Sequence, residues 1–497
     1  MQLMNKLLLY RNHHFFIFLI SFVGILYIQS CTTEEVSNTP NVVIIFTDDQ
    51  GYGDVGSYGA YQFTTPHLDK MANEGMRFTH FYSAQGVCSA SRAGLLTGCY
   101  PNRIGISGAL MPWSQHGLHE DETTIAEMLK DEGYATCIVG KWHLGWQKEF
   151  LPLQHGFDEY FGLPYSNDMW PVDFDGTPVD ENSMKPQKAK YPILSLIKGN
   201  EKIDEIKTLD DQAQLTTRYA EYAVDFISRN KEKPFFLYLA HSMPHVPLGV
   251  SDKFKGKSEQ GMYGDVIMEI DWSVGQVIEA LKNNGLEENT LIIYTSDNGP
   301  WLNFGNHAGS TGGLREGKGT SWEGGQREPC IMKWPGKIPA GISSNKLSST
   351  IDLLPTIAAV TGAKLPQKKI DGVDLGPILK GVEDANPRDH FYYYYHRNNL
   401  EAVRKGQWKL VLPHGFRSYE GVLPANDGFP GQYALGKTEQ ALYNLVRDPG
   451  ERYDVQEMYP GVVEDLLKLV EEARADLGDD LTSRAGENVR EHGKLKQ

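Results

Sequence analysis

Four runs of consecutive apolar residues punctuate the chain: NVVIIFT from Asn41, YATCIVG from Tyr134, PFFLYLA from Pro234 and TLIIYTS from Thr290. Each is rich in β-branched or aromatic side chains and lacks the alternation of a half-solvated strand, so each reads as a strand buried on both faces. Helical periodicity fills the stretches between them. TTIAEMLKDEG has Thr123 or Thr124 to cap its start and Gly133 to end it. In GDVIMEIDWSVGQVIEALKNNG, Val266, Ile267, Ile270, Val274, Val277, Ile278 and Leu281 form one stripe, closed by Gly285. Strands alternating with amphipathic helices predict an α/β fold, a mostly parallel sheet with helices on both faces.

The character changes after residue 375. HFYYYYHRNNLEAVRKGQWKLVLP predicts two strands joined by a turn, ALYNLVRDPGERYD a loop and GVVEDLLKLVEEARADL a helix. The expected organisation is a main domain over 41–375 and a smaller antiparallel-sheet subdomain over 376–497. At the other end, Lys6 and Arg11 precede FFIFLISFVGILYI, Phe15 to Ile28. That run is shorter than the roughly 20 residues a membrane-spanning helix needs, which makes residues 1–30 an export signal. Its end, IQSC, resembles a bacterial lipoprotein signal, which implies a lipid on Cys31 as the membrane anchor. The polar segment 31–40 is then a tether, and its paired glutamates resemble the acidic surface-export signals of Bacteroidetes lipoproteins. The expected address is the outer membrane or cell surface of a Gram-negative bacterium, with the periplasm as second choice.

With 497 residues, 40% hydrophobic and 23% charged, the chain can bury a sizeable core. Its net charge of -16 repels nucleic acid, so an anionic substrate must be held by a local cluster of cations. Of the cysteines Cys31, Cys88, Cys99, Cys137 and Cys330, Cys137 and Cys330 sit in apolar runs as buried thiols, and no disulfide framework is evident.

Ligands of open α/β sheets bind beyond the carboxyl ends of the strands. The four predicted strands run into DDQGYGD, KWHLG, HSMPH and DNGP, which would bring carboxylates, a lysine and histidines to one rim. Asp48, Asp49, Asp297 and Asn298 offer oxygen ligands only, which favours a hard cation, Ca²⁺ ahead of Mg²⁺, unless the acidic pairs are caps and turns. A helix starting near Cys88 would put Arg92 one turn on, on the same face, with free N–H groups favouring an anion beside Cys88. Such a position lowers a thiol pKa, whereas the plainer reading of a cysteine among Ser and Ala is a small buried residue.

CSASRAGLLTG, from Cys88, resembles the signature of the formylglycine-dependent type I sulfatases, of the alkaline phosphatase superfamily. FTDDQGYGD, TPHLDKMANEG, GKWHLG, HSMPHVP, TSDNGP, GKGTSWEGGQREP and DLLPTIAAVTG match that family in order along nearly the whole mature chain. The arylsulfatase A and N-acetylgalactosamine-6-sulfatase group is the most similar. The resemblance implies that Cys88 is oxidised to formylglycine by a maturation enzyme and steadied by Arg92. Ca²⁺ is then held by Asp48, Asp49, Asp297 and Asn298 together with the modified Cys88. Lys141, His143, His245 and Lys318 line the sulfate, with His143 as the base that releases it and His245 or Lys318 as proton donor to the leaving oxygen. His241 is expected to be structural. Ala90 stands where the family most often has proline, which bears on the maturation system.

The expected activity is hydrolysis of sulfate esters on a carbohydrate. A phospho-ester hydrolase of the same superfamily and an inactive glycan-binding surface lipoprotein are the alternatives. Trp113, His116, Trp301, His307 and Arg315, in loops beside the motifs, are candidates for substrate recognition. Tyr392 to Tyr395 with His396 and Arg397 either stack on a sugar or pack, and packing is the commoner use of such a strand. GGLREGKGT has phosphate-loop spacing but Gly319 where Ser or Thr would hold Mg²⁺, so its glycines are read as bringing Lys318 close to an anion.

Overall fold

The computed structural model describes residues 39–183 and 185–495, so the expected export signal over 1–30 and the expected lipid site Cys31 lie outside the described residues. A mixed sheet is built from β1 (Asn41–Thr47), β2 (Met76–Tyr82), β3 (Ala135–Gly140), β4 (Glu159–Gly162), β5 (Leu194–Lys198), β6 (Glu201–Ile206), β7 (Phe235–Ala240), β8 (Thr290–Ser296), β9 (Arg327–Lys333) and β10 (Ile342–Ser344). Their spatial order is β10-β2-β9-β8-β1-β7-β3-β4-β5-β6, and the short strand Ser348–Ser349 also pairs with β2. The four apolar runs are its parallel centre, β8-β1-β7-β3. The remaining strands are ones the apolar-run criterion passes over: β2 alternates, β6 is largely exposed, and β9 carries Arg327, Glu328 and Lys333. Antiparallel β9, β5 and β6 make the sheet mixed.

Burial on both faces is visible within β1 itself. Val43 and Ile45 enter one core with residues of α1 (Pro66–Glu74), α4 (Leu215–Arg229) and α5 (Met262–Asn283). Val42, Ile44 and Phe46 enter the other, with residues of α2 (Cys88–Thr97), α3 (Ile125–Asp131) and α6 (Leu353–Thr361). The α5 stripe packs as predicted except for Ile278, which is only half-buried. Each fully buried Val, Leu or Ile contributes roughly 1.5–3 kcal/mol, so this two-sided core dominates the stability. Among the described residues no helix is long and apolar enough to cross a membrane.

At α3 it is Thr124 that caps, not Thr123. Its hydroxyl accepts from the Glu127 N–H at 3.1 Å, the Glu127 carboxylate accepts from the Thr124 N–H at 2.7 Å, and the hydroxyl also donates to the His155 carbonyl. We expect Thr124→Ala to lower the unfolding free energy by about 1–2 kcal/mol, read from chemical denaturation.

The C-terminal region departs from expectation in two places. HFYYYYHRNNLEAVRKGQWKLVLP holds three strands, β11 (His390–Tyr395), β12 (Asn399–Lys405) and β13 (Trp408–Val411), because Gly406 makes a second turn at positive φ. ALYNLVRDPGERYD begins with a strand, Ala441–Asn444, which completes the four-stranded antiparallel sheet against β13. A separate ribbon, β14 (His414–Ser418) with β15 (Ala434–Thr438), lies between them in sequence. The predicted last helix is α7 (Pro460–Leu477), whose Leu466, Leu469, Val470, Ala473 and Leu477 pack on the small sheet.

Candidate active site

The ends of the central strands gather the candidate residues. Asp48 and Asp49 follow β1, Lys141 and His143 follow β3, His241 and His245 follow β7, and Asp297 and Asn298 follow β8. The ladder continues briefly past the strands: the N–H groups of Asp297, Lys141 and His241 donate to the carbonyls of Thr47, Ala240 and Phe46. Gly140 makes this possible, because it sits at φ +112 and a Cβ would stand 1.8 Å from the Ala240 carbonyl oxygen. β2 ends at the same rim, since it is antiparallel to β9 and β9 is antiparallel to β8. Its loop leads into α2, whose first residue is Cys88. Lys318 arrives from the loop before β9, where the Gly319 N–H donates to the Gly86 carbonyl and ties that loop to the one preceding Cys88.

Charges of both signs are packed here with almost no exposure to solvent. Arg92 donates to Asp297 Oδ2 through Nε at 3.1 Å and Nη2 at 2.8 Å, and to the Lys141 carbonyl at 3.0 Å. Lys141 Nζ donates to Asp48 Oδ2 and to Ser166 Oγ. Lys318 Nζ spans both oxygens of Asp49, at 2.7 and 2.9 Å. Burial raises Asp48, but Lys141, His245 and Arg92 outweigh it and hold this carboxyl well below the ordinary range; burial and the neighbouring Asp48 push Asp297 up to about 7. Asp49 (φ 66) and His143 (φ 62) are left-handed without being glycine, a strain of about 1 kcal/mol or more each that survives only where surrounding bonds dictate the conformation.

Two acceptors in this cluster, Asp48 Oδ1 and Asn298 Oδ1, are buried without a hydrogen-bond partner, and Asn298 Nδ2 donates to Asp49 Oδ1 at 2.7 Å. Asp48, Asp49 and His245 bring ligand atoms within 4.8 Å of one another. Orphaned buried oxygens beside three carboxylates fit a hard divalent cation. His245 also stands 3.4 Å from Ser166 Oγ and 3.6 Å from Asp49 Oδ2.

The thiol itself corrects one expectation. Cys88 does start a helix with Arg92 one turn on, but burial pushes its pKa above the ordinary cysteine value, and Lys141 and Lys318 offset only part of this. The cations of the protein itself therefore do not activate this thiol. His143 is held neutral, driven well below its usual pKa by burial and then by Lys141 and Arg92. Its Nε2 lies 2.9 Å from the Leu110 carbonyl and its Nδ1 has no partner, so the ring donates through Nε2 and leaves a buried lone pair on Nδ1. The Leu110 N–H donates to Ser89 Oγ, which links the ring's position to the residue after Cys88.

Of the remaining candidates, Trp301 joins the site, with Lys318 over its ring and His245 edge-on to it. Tyr395 packs against the Val87, Cys88 and Ala90 cluster, while Tyr392, Tyr393 and Tyr394 are core residues, as packing predicts. Arg315 lies 3.6 Å over the Trp322 ring, His116 pairs with His492, and Trp113 packs on Tyr191. His307 lies against Gly428, and His396 and Arg397 form an exposed turn. His241 bonds Ser273 Oγ and is structural. Ser166 escapes the sequence reading because β4, only four residues long, gives no apolar-run signal; the PYSND segment just beyond that strand obeys the same rim rule. The four described cysteines are all free and buried.

Comparison with known proteins shows the family. The sulfatase family profile matches residues 40–363, that of the N-sulphoglucosamine sulphohydrolase C-terminal region residues 317–412, and that of the C-terminal region of aryl-sulfatase residues 386–494. Arylsulfatase A of Bos taurus is 39% identical over 457 residues, covering 88% of this chain and 87% of that protein. N-acetylgalactosamine-6-sulfatase of Mus musculus is 39% identical over 477 residues, covering 92% and 86%. Among solved structures, Ps i-CgsB in complex with k-i-k-neocarrahexaose is 30% identical with a TM-score of 0.72, covering 87% of this chain and 92% of that one. The chain belongs to the sulfatase family and is a sulfuric ester hydrolase.

Proposed function

We propose that the chain hydrolyses sulfate esters of carbohydrates using Ca²⁺ and a formylglycine made from Cys88, as an exported, lipid-anchored protein of the cell surface. The observation that carries the reading is the closed rim itself: Cys88 begins a helix inside a shell of Arg92, Lys141 and Lys318, each paired with an aspartate. A raised thiol pKa supports it, because Cys88 is poorly placed to act as a thiolate but sits where an oxidised side chain would meet three cations. Ca²⁺ held by Asp48, Asp49, Asp297 and Asn298 would neutralise charge on the sulfate oxygens, and a formylglycine hydrate would supply the nucleophilic oxygen.

The chain's own residues do the rest. Lys141 and Lys318, both buried, offer N–H donors to the sulfate oxygens where low exposure makes such contacts worth most. Arg92 stays on Asp297 and fixes that carboxylate. His143, neutral and with a free lone pair on Nδ1, accepts a proton there. His245 and Lys318 are the proton carriers nearest Asp49. Carbohydrate specificity rests on the solved complex of Ps i-CgsB with neocarrahexaose and on the expected export of the chain.

The test uses the full chain co-expressed with a formylglycine-generating enzyme and a panel of monosulfated sugars, with phosphorylated sugars alongside. We expect inorganic sulfate from at least one sulfated sugar and much slower release of phosphate. Hydrolysis of an aryl sulfate with no sulfate from any sugar would defeat the carbohydrate reading.

A further inference from the structure

Beyond the shell around Cys88 lie two cations that the sulfur chemistry does not use, Lys185 and Arg417, both close to Lys318. Lys185 Nζ and Lys318 Nζ share one indole, at 5.7 and 4.6 Å from the centroid of the Trp301 ring. On the ribbon strand β14, Arg417 reaches the same loop: a Cβ on Gly319 would lie 3.3 Å from its Nη1 and 3.0 Å from the Tyr395 hydroxyl. The Arg417 guanidinium lies 4.6 Å over the Tyr433 ring and donates to Tyr419 Oη at 3.4 Å, and that hydroxyl donates to the Lys318 carbonyl. Tyr395 in turn packs against the cluster of Val87, Cys88 and Ala90. Arg417 is therefore built into the wall next to the reacting position.

Neither Arg417 nor Lys185 has a carboxylate at ion-pair distance among the described residues. The side chains around the Arg417 guanidinium are Tyr419, Tyr433 and, across Gly319, Tyr395, none of them a charged acid at neutral pH. Burial lowers the Lys185 pKa, and the charges of Asp168 and Asp173 offset part of this from beyond ion-pair distance. A guanidinium has five N–H donors, and this one uses a single long bond and is itself half-exposed, so most of its donor capacity is left over. Grouping cations costs Coulomb repulsion, offset here by the Asp49 partner of Lys318, by the field of Asp168 and Asp173 on Lys185, and by the aromatic faces of Trp301 and Tyr433. In a chain with a net charge of -16, the device that draws an anionic glycan to the site must be local.

We propose that Arg417 and Lys185, beside Lys318, form a subsite for a second anionic substituent, sulfate or carboxylate, on the same sugar chain whose sulfate ester lies at residue 88. The inference rests on the carbohydrate sulfatase reading and narrows its substrate to polyanionic glycans. Arg417, with its planar fork, is the specificity-determining residue, and Lys185 adds charge.

The experiment takes the monosulfated sugar hydrolysed fastest in the panel and compares it with two relatives: the same sugar carrying a second sulfate, and the same sugar linked to a uronic acid. We expect the matured wild-type chain to favour one charged relative by about tenfold in kcat/KM, mostly through KM, as one charge-assisted hydrogen bond allows. Arg417→Gln should bring that ratio towards one, Arg417→Lys should keep part of it, and Lys185→Gln should reduce it. The favoured relative distinguishes sulfate from carboxylate. Equal kcat/KM for all three sugars in the wild type, or an unchanged ratio in Arg417→Gln with an unchanged melting temperature, overturns the subsite while leaving the carbohydrate reading intact. Failure to release sulfate from any sugar ends both.

Discussion

Cys88→Ala should reduce turnover by on the order of 10⁴-fold or more, the scale of losing a covalent nucleophile, while the melting temperature moves by only a few degrees. The contrast follows from position. Cys88 is buried at the first turn of α2 with Val87 and Ala90, so truncation removes a single sulfur from a small apolar cluster that tolerates it. Nothing in the ion pairs of Arg92, Lys141 or Lys318 passes through the sulfur, so the charged shell remains assembled. Turnover is measured on the sulfated sugar and on an aryl sulfate, with mass analysis of the wild-type peptide containing residue 88 for the aldehyde. Retention of full activity in the alanine variant, or an unmodified thiol in a fully active wild type, removes the mechanism.

Asp297→Ala is expected to fail twice, in activity and in stability. The substitution leaves the fully buried Arg92 guanidinium with only the Lys141 carbonyl and, at 3.7 Å, Asp48 Oδ1, after losing two hydrogen bonds to Asp297 Oδ2. Removing one partner of a buried ion pair costs about 3–5 kcal/mol, which denaturant unfolding resolves easily. It also removes one of the oxygens proposed for the cation, so activity should drop by about a thousandfold or more. Asp297→Asn separates the two effects in part: an amide oxygen still accepts from Arg92, so some of the lost stability should return, while the missing charge and the lost acceptor for the Asp49 N–H keep the rest, and activity should stay low. Chelation should likewise lower both activity and melting temperature, and added Ca²⁺ should restore them. Full activity in Asp297→Asn together with indifference to chelation would contradict the metal reading.

Legibility tracked local chemistry. The strands of the parallel centre announced themselves because burial on both faces demands unbroken apolar runs, and Asp48, Asp49, Lys141, His143, Asp297 and Asn298 were readable because they directly follow those strands. Cys88, Arg92 and Lys318 were readable because their short motifs match a family. Strands β4, β5, β6 and β9 were not, since their residues are short-run, polar or charged, and β9 finds a partner in β2, far away in sequence. Ser166 was hidden with β4. The third strand of the small sheet and the one at Ala441–Asn444 went unread because pairing, not composition, makes them strands.

The sequence alone determined the layered α/β core, the strand ends that carry the chemistry and the identity of the charged groups, because periodicity and strand-following residues are properties of neighbours in the chain. Tertiary structure decided which cation pairs with which aspartate, that burial raises the Cys88 thiol rather than lowering it, and that Arg417 from the C-terminal ribbon stands beside Lys318. Those are matters of distance and desolvation between segments far apart in the chain, which acquire values only when the sheet is closed around them.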